Sequence, residues 1–238
     1  MFNQTQNLNQ RSTKGMSSKG PIFHCDDVSV QYGDVLALRN VQLTIERGEI
    51  IFLTGASGAG KTTLLKVLSG LEKPTSGKIT RPDYFSGNKK LFISNVFQDL
   101  RLMGRYTCLE NLLFAYDSSL YSSKAEFMQD LYELSRILGI KDRLDLKIND
   151  ANGGLKQKVA IIRALLSRPD ILIADEPNSS LDNDNSRRLF DVLNLYNVKR
   201  GLTIIWATHN KDLIKSFSGR ILHLDNGRLV YSGNACFI

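Results

Sequence analysis

This chain has no cysteine framework, no membrane span and no dense basic block. Its three cysteines, Cys25, Cys108 and Cys236, are scattered and odd in number. That argues against a disulfide frame or a cysteine-built zinc site and points to reduced thiols. Cys236 is third from the end, so it is not part of a prenylation box. No apolar run reaches the roughly 18 residues of a transmembrane helix. The first residues lack the apolar stretch of a secretory leader, so the chain is expected to stay in the cytosol. No internal repeat is visible. The net charge is +7, and +3 of it comes from Arg11, Lys14 and Lys19 with no acid in residues 1–20. No Lys/Arg block with interleaved aromatics accompanies that charge. It reads as a solvated surface plus an anion site, and no nucleic-acid partner is expected.

The rest of the composition is that of a folded domain. With 238 residues, 42% hydrophobic and 23% charged, the chain can form one large α/β domain or two small ones around a packed core. Residues 1–20 are polar and are expected to be disordered. Phe23–Tyr32 and Val35–Ile45 alternate apolar and polar residues, as two antiparallel strands would. Tyr32 ends the first of these. It could stack on an adenine ring or be an ordinary edge-strand tyrosine.

Residues 55–63 read Gly55, Ala56, Ser57, Gly58, Ala59, Gly60, Lys61, Thr62, Thr63. They match the phosphate-loop pattern G-x-x-x-x-G-K-[ST] at every fixed position. The glycines allow successive N–H groups to turn inward as an anion nest. Lys61 would reach the β- and γ-phosphates, and the Thr62 hydroxyl would ligate Mg²⁺. An apolar run over 49–54 predicts a buried strand before the loop. Leu64, Leu65, Val67 and Leu68 predict a helix after it, stopped at Gly70.

Strands are predicted at 77–80 and 90–97, the second ending at Gln98-Asp99. A helical insert follows. Thr107–Glu110 and Ser123–Glu126 are both capping-box patterns. Leu112, Leu113 and Tyr116 fit the first helix; Phe127, Leu131, Leu134, Ile137 and Leu138 fit the second. Gly153-Gly154 opens a further helix to Ser167. Ile171–Ala174 then reads as a central parallel strand delivering Asp175 and Glu176 to the sheet edge where ligands bind. A helix around Leu189–Leu193, a buried strand at 202–207 ending at Thr208-His209, and a closing hairpin about Asp225-Asn226-Gly227 complete the chain.

A strand-end Asp175 can share with Thr62 the Mg²⁺ of a bound nucleoside triphosphate. Glu176 can orient a water at the γ-phosphate, and His209 can sense that phosphate by a hydrogen bond. Together they describe metal-assisted hydrolysis. His24 and His223 read as structural.

With these motifs in this order, residues 21–238 resemble the ATP-binding subunits of ABC transporters. The resemblance implies a P-loop NTPase core with a mainly parallel sheet, an N-terminal antiparallel β subdomain and an inserted α-helical subdomain at about 100–168. It implies ATP and Mg²⁺, a base-stacking role for Tyr32, and Gln98 touching the metal and the attacking water. It implies that Glu176 is the catalytic base and His209 a switch. It also implies a signature loop at Ala151, Asn152, Gly153, Gly154 and Leu155, and an Asp182 loop between protomers. Such subunits form head-to-tail homodimers around ATP on the cytoplasmic face of the inner membrane and drive an integral membrane subunit. Phe52–Lys61 and Phe97–Met103 are most similar to the cell-division type, FtsE, which implies an FtsX-like permease partner and control of cell-wall hydrolysis.

Two departures bear on rate. Asn152 and Leu155 stand where the signature has Ser and Gln, so ATP binding is expected to persist with slower or partner-dependent hydrolysis. The 81–95 stretch looks shorter than usual. The alternatives are a transporter subunit moving a lipid, lipoprotein or small solute, an ATP-dependent scaffold with weak hydrolysis, and a soluble protein acting on nucleic acid. The last is weakened because only one such domain is present.

Overall fold

The structure, a computed structural model, describes residues 21–81, 91–209, 214 and 218–234. The expectations for 1–20, for Cys236 and for most of the 81–95 stretch lie outside the described residues.

The two alternating segments form β1 (Pro21–Tyr32) and β2 (Val35–Glu46), paired antiparallel, with Phe23 opposite Ile45 and Tyr32 opposite Val35. β4 (Ser76–Thr80) joins the other edge of β1, giving a three-stranded antiparallel sheet in the order β2-β1-β4. Among the described residues the second sheet has six strands. β3 (Ile50–Thr54), β5 (Ile93–Val96), β6 (Ile171–Asp175), β7 (Thr203–Ala207), β8 (Arg220–Asp225) and β9 (Arg228–Asn234) lie in the order β5-β6-β7-β3-β8-β9. All neighbours are parallel except the closing hairpin β8–β9. β5 is shorter than the sequence suggests.

The parallel strands are near-continuous apolar runs because both sheet faces are covered. Residues one apart point to opposite faces. Phe52, Trp206, Ile204 and Leu172 accordingly join a core with the helical insert and α5 (Asn183–Arg200). Ile51, Leu53, Ile205 and Ile173 join a second core with α1 (Lys61–Ser69) and the antiparallel sheet. Phe52, Phe190 and Trp206 cluster with ring centroids 5.7–6.3 Å apart, Phe52 stacked on Phe190 and Trp206 tilted against both. Each such ring contributes about 1.5–3 kcal/mol by leaving water.

The insert between β5 and β6 holds α2 (Cys108–Leu113), α3 (Lys124–Ile137) and α4 (Gly153–Leu166). Thr107 closes a full capping box with Glu110. The second capping box is only half made. Ser123 Oγ accepts from the Glu126 amide, but the Glu126 carboxylate accepts from Ser122 N and Oγ instead of reaching back to Ser123. Tyr116 lies beyond the end of α2. Among the described residues no helix is long and apolar enough to cross a membrane.

Candidate functional site

β3 ends at Thr54 in the middle of the sheet, and the next residues must turn sharply to enter α1. Gly55 does so at φ 145°, where a Cβ would sit 2.4 Å from the Leu224 carbonyl oxygen. Gly60, at φ 102°, would place a Cβ 2.5 Å from the Ala37 oxygen. Only glycine fits either position. Gly60 is the N-cap of α1, with no side chain capping the helix and no acid in its first turn. The positive end of the helix therefore faces the loop. Lys61 Nζ donates to Gly55 O at 2.8 Å and to Ala56 O at 2.9 Å, so its charge arches over the loop.

β6 is buried at every residue and carries Asp175 to the same point. The Thr62 hydroxyl donates to Asp175 Oδ2 at 2.6 Å. Burial pushes the Asp175 carboxyl up, and the Thr62 hydrogen bond pulls it part of the way back. Glu176 follows with φ at 52°, a left-handed turn that a glutamate adopts only at some cost. Its amide donates to Ala207 O on β7, and its Oε2 lies 2.6 Å from Nδ1 of His209 just past β7. Two neighbouring strand ends thus bring an acid and a histidine together.

A cavity of about 750 Å³ opens over this arrangement. Gly55, Ala56, Ser57, Gly58, Gly60, Lys61, Thr62 and Thr63 line it, together with Gln98, Asp175, Glu176 and His209. Ala59 does not. It is buried behind the loop, where its carbonyl accepts from the Gly227 amide. Tyr32 does not line the cavity either. The residue is 45% exposed, and its hydroxyl donates to Glu72 Oε2 at 2.7 Å. Sequence reasoning missed the opposite wall, made by Val35–Ala37, Arg39, Asn226 and Gly227. The hairpin signal at Asn226-Gly227 was legible, but its place over the phosphate loop was not.

The donor set fits a hard divalent cation shared with phosphate oxygens. Thr62 and Asp175 offer oxygens already 2.6 Å apart, and Gln98 lines the same space. Among the described residues no group of three or more His, Cys, Asp or Glu could hold a metal without such help.

Asn152, Gly153, Gly154 and Asp182 lie elsewhere. They line a separate cavity of about 690 Å³, which shares no residue with the first. Asn152 is the N-cap of α4, its Oδ1 accepting from Leu155 N at 2.9 Å. That leaves its amide N–H groups as the donors. A Cβ on Gly154 would sit 2.9 Å from the backbone oxygen of Ser180, so close packing on the 179–182 loop favours glycine there, whereas a Cβ on Gly153 would meet the movable Ser180 hydroxyl at 2.9 Å. Asp182 caps α5 by accepting from Asn185 N and Nδ2, which hold its carboxyl below the usual range. Gln157, which sequence reasoning did not single out, couples the two cavities. Its Nε2 donates to Ser179 Oγ at 2.6 Å and to Glu176 O at 3.3 Å, and its Oε1 accepts from Ser180 N at 2.9 Å.

Comparison with known proteins agrees with this geometry. A family model described as ABC transporter matches residues 38–179. The methionine import ATP-binding protein MetN of Streptococcus agalactiae is 33% identical over 233 residues, which cover 91% of this chain and 65% of that protein. The chain therefore spans just under two thirds of the length of that relative. The phosphonates import ATP-binding protein PhnC of Fusobacterium nucleatum is 37% identical, over 88% of this chain and 91% of that protein. Among solved structures, the dimer of an ATP-binding cassette in a post-hydrolysis state with ADP and Pi superposes with a TM-score of 0.77. It is 28% identical and covers 91% of this chain and 100% of that one. These relatives are import proteins and cassettes, and they lend no support to the likeness to the cell-division type.

Proposed function

The chain belongs to the ABC transporter family, and from that premise we propose that it is the ATP-binding and ATP-hydrolysing subunit of an importer for a small solute. One observation carries the hydrolytic reading. Glu176, His209 and the Thr62–Asp175 pair converge on the cavity that the phosphate loop forms. The phosphate loop and Lys61 bind the polyphosphate, and Tyr32, outside the lined cavity, is the proposed contact for the base. Thr62, Asp175 and Gln98 would hold Mg²⁺, whose charge offsets that developing on the β- and γ-oxygens. Glu176 takes a proton from the attacking water, and His209 orients the Glu176 carboxylate. The bond from the γ-phosphorus to the bridging oxygen breaks, leaving ADP and phosphate.

The separation of the two cavities supports a head-to-tail homodimer. In that arrangement Asn152–Gly154 of one copy faces the phosphate loop of the other, and two ATP molecules lie between. The MetN and PhnC relatives favour import over division, with a separate integral membrane subunit as the partner and the membrane surface as the site of action. The solute class is that of small anionic or zwitterionic nutrients, by analogy with those relatives.

The test reconstitutes the chain with its membrane subunit in sealed vesicles and follows ATP-driven solute movement. Inward movement lost in Glu176→Gln supports the reading. ATP turnover that drives no solute movement contradicts it.

A further inference from the structure

Tyr32 does not line the phosphate cavity but borders it, its hydroxyl meeting both Glu72 and the cavity residue Thr63. Its hydroxyl donates to Glu72 Oε2 at 2.7 Å. Glu72 is itself fixed at the end of α1. Its amide and that of Leu71 donate to Lys66 O, and Gly70 closes the same helix end in a left-handed turn. The second carboxylate oxygen, Oε1, accepts from the Lys73 amide at 3.2 Å. The same loop grips β1 twice more, through Gln31 N to Thr75 Oγ1 at 3.0 Å and Thr75 N to Ser29 O at 2.8 Å.

The other end of α1 is the phosphate loop. The Tyr32 hydroxyl also meets the Thr63 side chain in the first turn of α1, so the phenol is held between the phosphate-loop end of this nine-residue helix and Glu72 just beyond its other end. We infer that Glu72 is a positioning residue for the nucleotide: anchored on the C-terminal end of α1, it holds the Tyr32 phenol and so sets the ring's distance from the phosphate loop. The inference rests on the reading of Tyr32 as the base contact. A ring held in advance loses less freedom on binding, so base affinity rises without any added contact to ligand.

Calorimetric titration of the full chain with ATP and with tripolyphosphate, which has no base, tests the role. Glu72→Ala should weaken ATP binding about 3- to 10-fold, as expected for one exposed charge-assisted hydrogen bond, and leave tripolyphosphate binding within about twofold. Tyr32→Phe, which removes only the hydroxyl, should match it, and the double variant should be no weaker than either. Glu72→Gln keeps an acceptor and should restore binding. Equal losses toward both ligands would mean that Glu72 merely supports the fold and would overturn the inference. So would unchanged ATP affinity in Glu72→Ala beside a clear loss in Tyr32→Ala. Unchanged affinity in Tyr32→Ala would instead overturn the base-contact reading itself.

Discussion

Glu176 Oε2 and His209 Nδ1 lie 2.6 Å apart, although they stand 33 positions apart in the chain. The contact exists because β6 and β7 are parallel neighbours that end level, Asp175 beside Ala207. His209 is 72% exposed, whereas the Glu176 side chain is 13% exposed. The acid is thus set in the floor, and the histidine reaches it from the rim. His209→Ala should lower kcat about 100-fold or more, in the range of a lost acid–base partner, while the dissociation constant for ATP changes less than about threefold. Steady-state ATPase kinetics beside nucleotide binding would check this.

Asn152 both caps α4 and faces the second cavity. Asn152→Ala should cost about 1 kcal/mol of stability through the lost cap. Asn152→Ser keeps a capping oxygen and supplies a smaller donor. It should hold stability within about 0.5 kcal/mol of the parent and raise turnover. Urea denaturation and phosphate release read the two effects separately.

Gln157 is 5% exposed and uses both ends of its amide on the loop after β6. Gln157→Leu would leave the Ser180 amide and the Ser179 hydroxyl without that partner. The expected destabilisation is about 1–3 kcal/mol. ATPase should fall as well, because Glu176 O loses its anchor. A chemical denaturation midpoint equal to the parent's would contradict this.

Glu126 carries the acid-range prediction. Hydrogen bonds from the Ser122 hydroxyl, from Arg168 and from the Ser122 amide lower its carboxyl from 4.5 to about 2. The folded state therefore binds this proton more weakly than the unfolded chain does. The stabilisation is in place above about pH 4.5 and is lost as pH falls toward 2. Glu126→Gln should flatten that part of the stability curve. Parallel curves for parent and variant in urea titrations across the window would refute the assignment.

The sequence made local features legible and left long-range ones hidden. The phosphate loop, the Gly70 stop, the Thr107 cap and the acid-bearing β6 depend on residues within a few positions of one another. They appear in the structure as their patterns imply. The Ser123 cap formed as its pattern implies, but the reciprocal half of the box did not, because Ser122, one residue earlier, competes for the Glu126 carboxylate. Ala59 matched a pattern whose spacing does not say which residues face inward. Arg39 and Gln157 carry no local signal, and the hairpin signal at Gly227 does not say where the turn lands, since each acts across an approach of distant chain segments. The likeness to the division type rested on two short stretches in the nucleotide-binding half, where cassettes of different use need the same chemistry.

The central claim is that one chain holds half of each hydrolytic site and a second copy completes it. Sedimentation velocity of Glu176→Gln with ATP and Mg²⁺ tests this directly. The account predicts a dimer that requires ATP and that reverts to monomer when Gly153→Asp is added. A monomer at saturating ATP, or a dimer indifferent to both ATP and Gly153, would contradict it.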